Sequence, residues 1–171
     1  KVLKILEEKT IVSIITDAGT PAISDPGRII VNECTNNNID VYPIPGASAV
    51  SAAVSVSGFS EKYYFYGFFP EKNKSLNEDL KVLSNLDCSI VFFVSPNKIN
   101  RFVETIKKFF SDRNILICRE ISKFYEEYLR SKVSELKVFE RTPKGELTLV
   151  LSEKNSYKKN SNKLSESDMK N

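Results

Sequence analysis

Two stretches of the chain have a composition that lets a small ligand lie directly against the backbone. Thr16 to Gly27 reads TDAGTPAISDPG, with two Asp, two Gly and two Pro, and Pro43 to Ala49 reads PIPGASA. Proline fixes φ and glycine removes the Cβ, so such loops are rigid and still allow close approach. The chemistry they suit is binding through main-chain amides and carbonyls rather than nucleophilic attack. Neither string is GxGxxG or GxxxxGK[ST], so a dinucleotide or nucleoside-triphosphate site is not indicated. Asp25, followed by Pro26, reads as a helix cap. For Asp17, between an apolar run and Ala18-Gly19, a ligand-facing and a structural role stay equally open.

A third stretch could move protons or hold an anion. Arg119, Glu120, Lys123, Glu126, Glu127 and Arg130 form the densest run of charge in the chain, directly after an apolar segment. The simpler reading of any one of them is a solvated helix face with pairs such as Lys123 with Glu126 or Glu127. The aromatic run Tyr63, Tyr64, Phe65, Tyr66, Phe68, Phe69 could stack on bases, but alternation in a strand favours core packing. The chain of 171 residues has no histidine and three widely spaced cysteines, Cys34, Cys88 and Cys118. That excludes a Ser-His-Asp triad, a histidine base and a Cys/His zinc site, and it argues against a disulfide framework. Lying in or beside apolar runs, the cysteines read as buried small hydrophobes.

The elements that must position these stretches alternate. Val2, Leu3, Ile5 and Leu6 have helical spacing, and Ile11 to Ile15 reads as a buried strand. A helix is predicted from Asp25-Pro26 to about Asn36, a strand over Ile39 to Ile44, and a small-residue helix from Ala47 to Ser57 closed by Gly58. This order implies a parallel, covered sheet. From Tyr63 the texture changes, with a strand over the aromatic run, a helix over Leu76 to Leu86 and a strand over Ser89 to Val94. Next come a helix over Ile99 to Phe110, a strand over Asn114 to Cys118, an irregular or helical stretch over Tyr125 to Leu136, and a closing strand over Glu146 to Ser152. The expected division is residues 1–60, residues 61–154, and a disordered polar tail over residues 155–171.

Six ordered strings now carry a resemblance: TDAGTPAISDPG, PIPGASAVSAAVSVSG, FYGFFP, VFFVSPNKI, CREISKFYEEYLRSKVSEL and KGELTLVL. Together, from Thr16 to Leu151, they resemble the bacterial family that methylates the 2′-hydroxyl of a cytidine in small-subunit ribosomal RNA, within the tetrapyrrole methylase superfamily. The resemblance implies an α/β, tetrapyrrole methylase-like fold: the C-terminal part of a parallel-sheet cofactor domain, then a second α/β domain with a mixed sheet. It implies S-adenosyl-L-methionine as cofactor, with Asp17, Ala18 and Gly19 on one wall of its cleft and Ser48 and Ala49 on another. Val94 and Ser95 resemble the position that lines the methionine end. No metal is implied, because the sulfonium is already an activated leaving group. Asn97-Lys98 stand where the family usually has His-Arg, and Ser131 where Gly is common. The TPIGN-like and EDTR-like strings that open the family precede the first helix of this chain, so an N-terminally incomplete piece is expected.

A ribose hydroxyl has a high pKa and needs a base or an electropositive pocket as the methyl group transfers. Within the resemblance, Glu120, Lys123 and Glu126 are therefore the candidate catalytic residues, and Arg119, Lys123 and Arg130 the candidate substrate-binding ones. Residues 1–60 carry four Lys/Arg against six Asp/Glu, residues 61–154 seventeen against fourteen, and the net charge is +3. A basic second half suits a polyanion. No apolar window is long enough for a membrane span and KVLKILEEKT lacks a signal-peptide core, so a cytoplasmic protein without a membrane partner is expected. Homodimerisation is a family expectation. The alternatives are methylation of a tetrapyrrole ring carbon, and an inactive binding or oligomerisation remnant.

Overall fold

The computed structural model describes residues 2–8, 10–71 and 76–154; the tail expected over 155–171 lies outside the described residues. The elements are α1 (Val2–Glu7), α2 (Arg28–Asn36), α3 (Ala49–Ser57), β1 (Tyr63–Phe68), α4 (Leu76–Ser84), β2 (Ser89–Val94), α5 (Ile99–Phe110), β3 (Asn114–Arg119), β4 (Glu127–Lys132) and β5 (Leu147–Leu151). The five strands form one sheet in the order β1-β2-β5-β3-β4. β1 and β2 run parallel, while β2–β5, β3–β5 and β3–β4 are antiparallel, giving the mixed sheet expected of the second half.

Both faces of the central strands are covered. On one face Ile90, Phe92, Val94, Ile115, Ile117, Leu147, Leu149 and Leu151 meet Leu80 and Leu83 of α4 and the apolar stripe of α5. That stripe is Ile99, Phe102, Val103, Ile106 and Phe110, the i, i+3, i+4, i+7, i+11 positions of one helix face. At about 1.5–3 kcal/mol for each side chain withdrawn from water, it is the largest single anchor of the helical layer. On the opposite face Val91, Leu116, Cys118 and Val150 meet Val50 and Ala53 of α3. α3 is built of small residues and so sits close to the sheet; Ser48 caps it by accepting from the Ser51 N–H at 3.3 Å, and Gly58 ends it in the left-handed conformation at φ 71°.

Arg113 holds the sheet end opposite the one that carries Val94. Fully buried, it donates through Nη1 to the carbonyls of Cys88 (2.9 Å) and Ser152 (2.6 Å) and through Nη2 to those of Ser84 (3.1 Å) and Leu86. One guanidinium thus closes the end of α4, the start of β2 and the end of β5, with its carbon 5.8 Å from the centre of the Phe110 ring. Burial pulls its pKa below the usual arginine value.

Three expectations are corrected. Ile11 to Ile15 and Ile39 to Ile44 are not strands: no ladder forms there among the described residues, and Ile11, Ile15 and Ile44 are 96%, 88% and 84% exposed. β-branched composition favours a pleated surface, but a strand needs a partner for its N–H and C=O groups, and none of the described residues pairs with these runs, so no parallel sheet forms over the described part of residues 1–60. Tyr125 to Leu136 is not irregular or helical throughout. It holds β4 and a 3₁₀ turn at Val133–Glu135, because the open side of β3 supplies a ladder from Asn114↔Lys132 to Arg119↔Glu127. Asp25 does not cap α2, which starts at Arg28 after Gly27 at φ 140° with no side-chain cap.

Candidate functional site

The two glycine- and proline-rich loops lie against one another. The Thr20 hydroxyl donates to the Ala47 carbonyl at 3.3 Å, and a Cβ placed on Gly19 would stand 3.8 Å from the same oxygen. Gly19 has φ +74°, a left-handed conformation that a branched residue resists. The Thr16 hydroxyl donates to the Ala18 carbonyl at 3.1 Å, which folds the Asp17-Ala18-Gly19 turn back on itself. Asp17, Ala18 and Gly19 are exposed, while Ser48 and Ala49 are half-buried at the start of α3. The structure therefore brings the first five candidate binding residues to one place. The Ser48 hydroxyl is already engaged as the α3 cap, so its backbone is the part left to meet a ligand.

The first loop also reaches the sheet. A Cβ on Gly67 of β1 would stand 3.6 Å from the Ser24 hydroxyl oxygen, and Gly67 pairs with Phe92 of β2. Val94, two residues farther along β2 and buried, ends the strand, and Ser95, half-buried, follows it, one strand beyond the contact. Gly67, at φ +96° and beside a register shift in β1, is a contact point that the sequence reading did not single out. Its only sequence signal was a lone glycine inside an aromatic run, which marks a bulge or a close approach.

The charged stretch is neither a helix face nor a set of free groups. Arg119 ends β3 and pairs through Nε with Glu127 at 2.8 Å, while its Nη1 donates to the Lys144 carbonyl at 3.3 Å. Lys123 pairs with Glu120 (3.2 Å) and Glu146 (3.0 Å), not with Glu126 or Glu127 as helical spacing predicted. Glu120 N–H donates to the Glu146 carbonyl at 3.0 Å, and Glu146 N–H donates to Glu120 Oε1 at 2.8 Å. Glu126 accepts from the Ser122 N–H at 2.5 Å. Glu120 and Ser122 both have positive φ, and a Cβ on Gly145 would fall 2.3 Å from the Glu120 carboxyl carbon. The result is a locked turn closed over a glycine 25 residues downstream. The Glu146 N–H and then Lys123 hold the Glu120 carboxyl below the usual carboxylate range, and the two carboxylates hold Lys123 above the usual amine value. A carboxylate with a lowered pKa is a weaker base, and a doubly paired ammonium does not readily give up its proton.

Arg130 sits elsewhere. It reaches across from β4 to the C-terminal carbonyls of α3, with Nη1 on Ser57 at 2.9 Å and Nη2 on Val56. A cation at a helix C-terminus opposes the negative end of the helix dipole and satisfies carbonyls with no partner within the helix. The aromatic run divides between the two faces of the sheet, but the register shift before Gly67 breaks strict alternation, so Phe65 and Phe68 lie against Phe93 while Tyr66 and Phe69 lie against Phe92. Phe65 stacks edge-on with Phe93 at 4.9 Å, Phe69 is buried, and the Tyr66 hydroxyl donates to Asp79 at 3.1 Å, while Phe68 stays 60% exposed. The cysteines are free; Cys34 and Cys118 are buried and Cys88 half-buried.

Leu147 ties the two parts together. It pairs with Val94 on one side and with Arg119 on the other, so the end of β2 and the charged turn share one end of the sheet, two strand spacings or about 10 Å apart.

The chain resembles known proteins in sequence and in fold. The profile of the family described as Tetrapyrrole (Corrin/Porphyrin) Methylases matches residues 2–137. A protein of Thermotoga maritima named Ribosomal RNA small subunit methyltransferase I is 43% identical over 157 residues, covering 90% of this chain and 70% of its own length. The protein of the same name from Mesomycoplasma conjunctivae is 38% identical, covering 87% and 63%. In several other relatives of that name the chain spans only about half of the length. A crystal structure of uroporphyrin-III C-methyl transferase from Thermus thermophilus, complexed with S-adenyl homocysteine, superposes with a TM-score of 0.54 at 14% identity, over 78% of this chain and 62% of that one. These matches lead to one conclusion: the chain belongs to the tetrapyrrole (corrin/porphyrin) methylase family, among the relatives named ribosomal RNA small subunit methyltransferase I.

Proposed function

We propose that this chain supplies much of an S-adenosyl-L-methionine-dependent methyltransferase that modifies the 2′-hydroxyl of a cytidine in small-subunit ribosomal RNA. The observation that carries the cofactor half is the abutment of the two small-residue loops, with Gly19 at positive φ facing Ala47. The backbone there is exposed and free of side-chain bulk, which suits a ligand held by amides and carbonyls. Asp17, Ala18 and Gly19 form one wall and Ser48 and Ala49 the other, with Val94 and Ser95 at the methionine end. The cofactor supplies an activated methyl group, so the chain's own work is to orient it and to exclude water. A metal has no part in that work.

RNA is favoured over a tetrapyrrole as substrate because the relatives at 38–43% identity carry the ribosomal name, whereas the likeness to the porphyrin enzyme shows the fold alone. Arg119 and Lys123 contribute to the substrate edge as parts of the locked turn. Glu120, Lys123 and Glu126 position that turn, since their polar atoms are engaged in building it. Arg130 bears on substrate through the placement of α3. The relatives named here are bacterial, where ribosomal RNA is modified in the cytoplasm, so the protein is expected there, and the family expectation of a homodimer is read by sedimentation equilibrium.

The experiment is calorimetric titration of the chain with S-adenosyl-L-methionine, followed by transfer of labelled methyl groups to small-subunit ribosomal RNA and to uroporphyrinogen. Gly19→Val is expected to abolish cofactor binding in a folded protein. Unchanged binding would show the loop to be structural. Methyl transfer to the porphyrinogen alone would replace the RNA reading, and a chain that binds cofactor but transfers nothing would support a non-catalytic role.

A further inference from the structure

Beside the locked turn, on the α5 face of the sheet, lies a hollow of about 410 Å³, within the range of about 300–1,000 Å³ common for small-ligand sites. Its floor is apolar, formed by Ile117, Leu129 and Leu147, and Phe139 stands at its wall. Its rim carries three cations, Arg119, Arg141 and Lys144, against one acid, Glu127, which Arg119 already neutralises at 2.8 Å. Arg141 and Lys144 are exposed, and among the described residues neither side chain forms an ion pair.

The hollow is built rather than incidental. The Asn100 side chain clasps the backbone of Phe139, donating through Nδ2 to its carbonyl at 2.9 Å and accepting its N–H on Oδ1 at 2.8 Å. That amide pair fixes the aromatic wall to α5. The far end of the same loop is fastened by the Arg119 bond to the Lys144 carbonyl and by the Glu146–Glu120 pair. A preformed site loses less ordering entropy on binding than a loop that must close.

A flat ring seated on an apolar floor, with two unpaired cations at the lip, is the arrangement that recognises an unpaired base and its phosphates. A purely apolar guest would leave the cations without partners. A free phosphate would make no use of the floor. We propose that this hollow seats one unpaired nucleotide of the RNA strand beside the methylated position, its base against Phe139 and Leu129 and its phosphates against Arg141 and Lys144. The proposal rests on the ribosomal RNA reading and adds to it the residues that hold the strand in register. Leu147, which lines the hollow, pairs directly with Val94, and Leu129 on β4 lies three strand spacings, about 14 Å, from β2, so a neighbouring nucleotide reaches the end of the sheet proposed for the cofactor.

The test uses the 171-residue chain and a short fluorescein-labelled oligocytidylate, with anisotropy read over a series of potassium chloride concentrations. The double variant Arg141→Ala/Lys144→Ala is expected to lower the slope of log affinity against log salt by about 1.4, two phosphate contacts at about 0.7 each on a single strand. Phe139→Leu is expected to weaken binding about five-fold or more with an unchanged slope, since base stacking and not charge is lost. Thr142→Glu, on the exposed rim, provides a second variant independent of the core and should weaken binding as well. The control is Lys62→Ala/Lys81→Ala, which removes the same charge away from the hollow. If the control costs as much as Arg141→Ala/Lys144→Ala, the effect is general charge and the proposal is overturned. It is also overturned if folded Phe139→Leu binds like the parent or if inorganic polyphosphate competes equally against both. Should the parent chain bind no oligocytidylate at any salt, the RNA reading itself fails. Should it bind RNA while the hollow variants change nothing and Gly19→Val still blocks the cofactor, only the hollow is wrong.

Discussion

Replacing Arg113 by methionine tests the account of how the sheet is fastened. The substitution keeps much of the apolar stem but removes donors from the carbonyls of Ser84, Leu86, Cys88 and Ser152, all at or next to element ends. A hydrogen bond from a charged donor contributes about 1.5–3 kcal/mol, and a buried carbonyl stripped of its partner costs about 1–3 kcal/mol. The gross loss over four carbonyls is partly offset because the variant no longer buries a cation, whose desolvation alone costs several kcal/mol. One nitrogen, Nε, has no partner even in the parent and adds to that offset. The net destabilisation expected is about 3–5 kcal/mol, the range found when one partner of a buried charged network is deleted. For a chain of this size each kcal/mol shifts Tm by about 2–4 °C, so a fall of roughly 10 °C is expected in thermal unfolding followed by circular dichroism. Arg113→Lys keeps the charge but not the planar fork, and should fall between the two. If Arg113→Met unfolds within about 0.5 kcal/mol of the parent in urea at an unchanged m-value, the guanidinium is not the clasp described here.

Arg130→Ala should destabilise the fold by about 2 kcal/mol through the lost bonds to the α3 carbonyls, measured by urea unfolding, and should leave the salt dependence of RNA binding unchanged. Burial pushes the Cys118 thiol up to about 11, so at pH 8 only about one molecule in a thousand carries that thiolate. Ellman's reagent should therefore modify Cys118 promptly only after denaturation. Because the folded-state pKa of Glu120 is lowered, its contribution is present above the ordinary carboxylate value and is lost as pH falls through the lowered one. The acid limb of a stability–pH curve should accordingly flatten in Glu120→Gln. Lys123, with its pKa raised, contributes below the ordinary amine value and loses that contribution only as pH climbs through the higher one.

How much could be read from residues alone depended on whether the deciding interaction was local. β2 and α5 carry their signals within themselves, a continuous buried run and a one-sided stripe, and both stand at the predicted residues. β4 could not be read that way. Its sequence EYLRSK is charged because it lies at an open edge of the sheet, and only the ladder to β3 makes it a strand. Ile11 to Ile15 failed in the opposite sense, with strand composition and no neighbour among the described residues to pair with. In the candidate site, the two glycine loops were visible as strings, and their abutment through Thr20 and Ala47, 27 residues apart, required the fold. Arg113 looked like one more charge after a helix, between Asp112 and Asn114. Nothing near it in sequence signals burial, because its carbonyl partners come from α4, β2 and the end of β5.

The place of β5 has a consequence for how the molecule is made. Of the five described strands it comes last in sequence, yet it lies in the middle of the sheet between β2 and β3. Until residues 147–151 leave the ribosome, the β1–β2 pair and the β3–β4 hairpin have no common neighbour and each presents an open edge. Such edges invite pairing with other chains, and closing them requires contacts distant in sequence, which form slowly. This sheet therefore closes only after residues 147–151 have emerged, and a ribosome that stalls before Leu147 leaves two half-sheets exposed to chaperones and to each other.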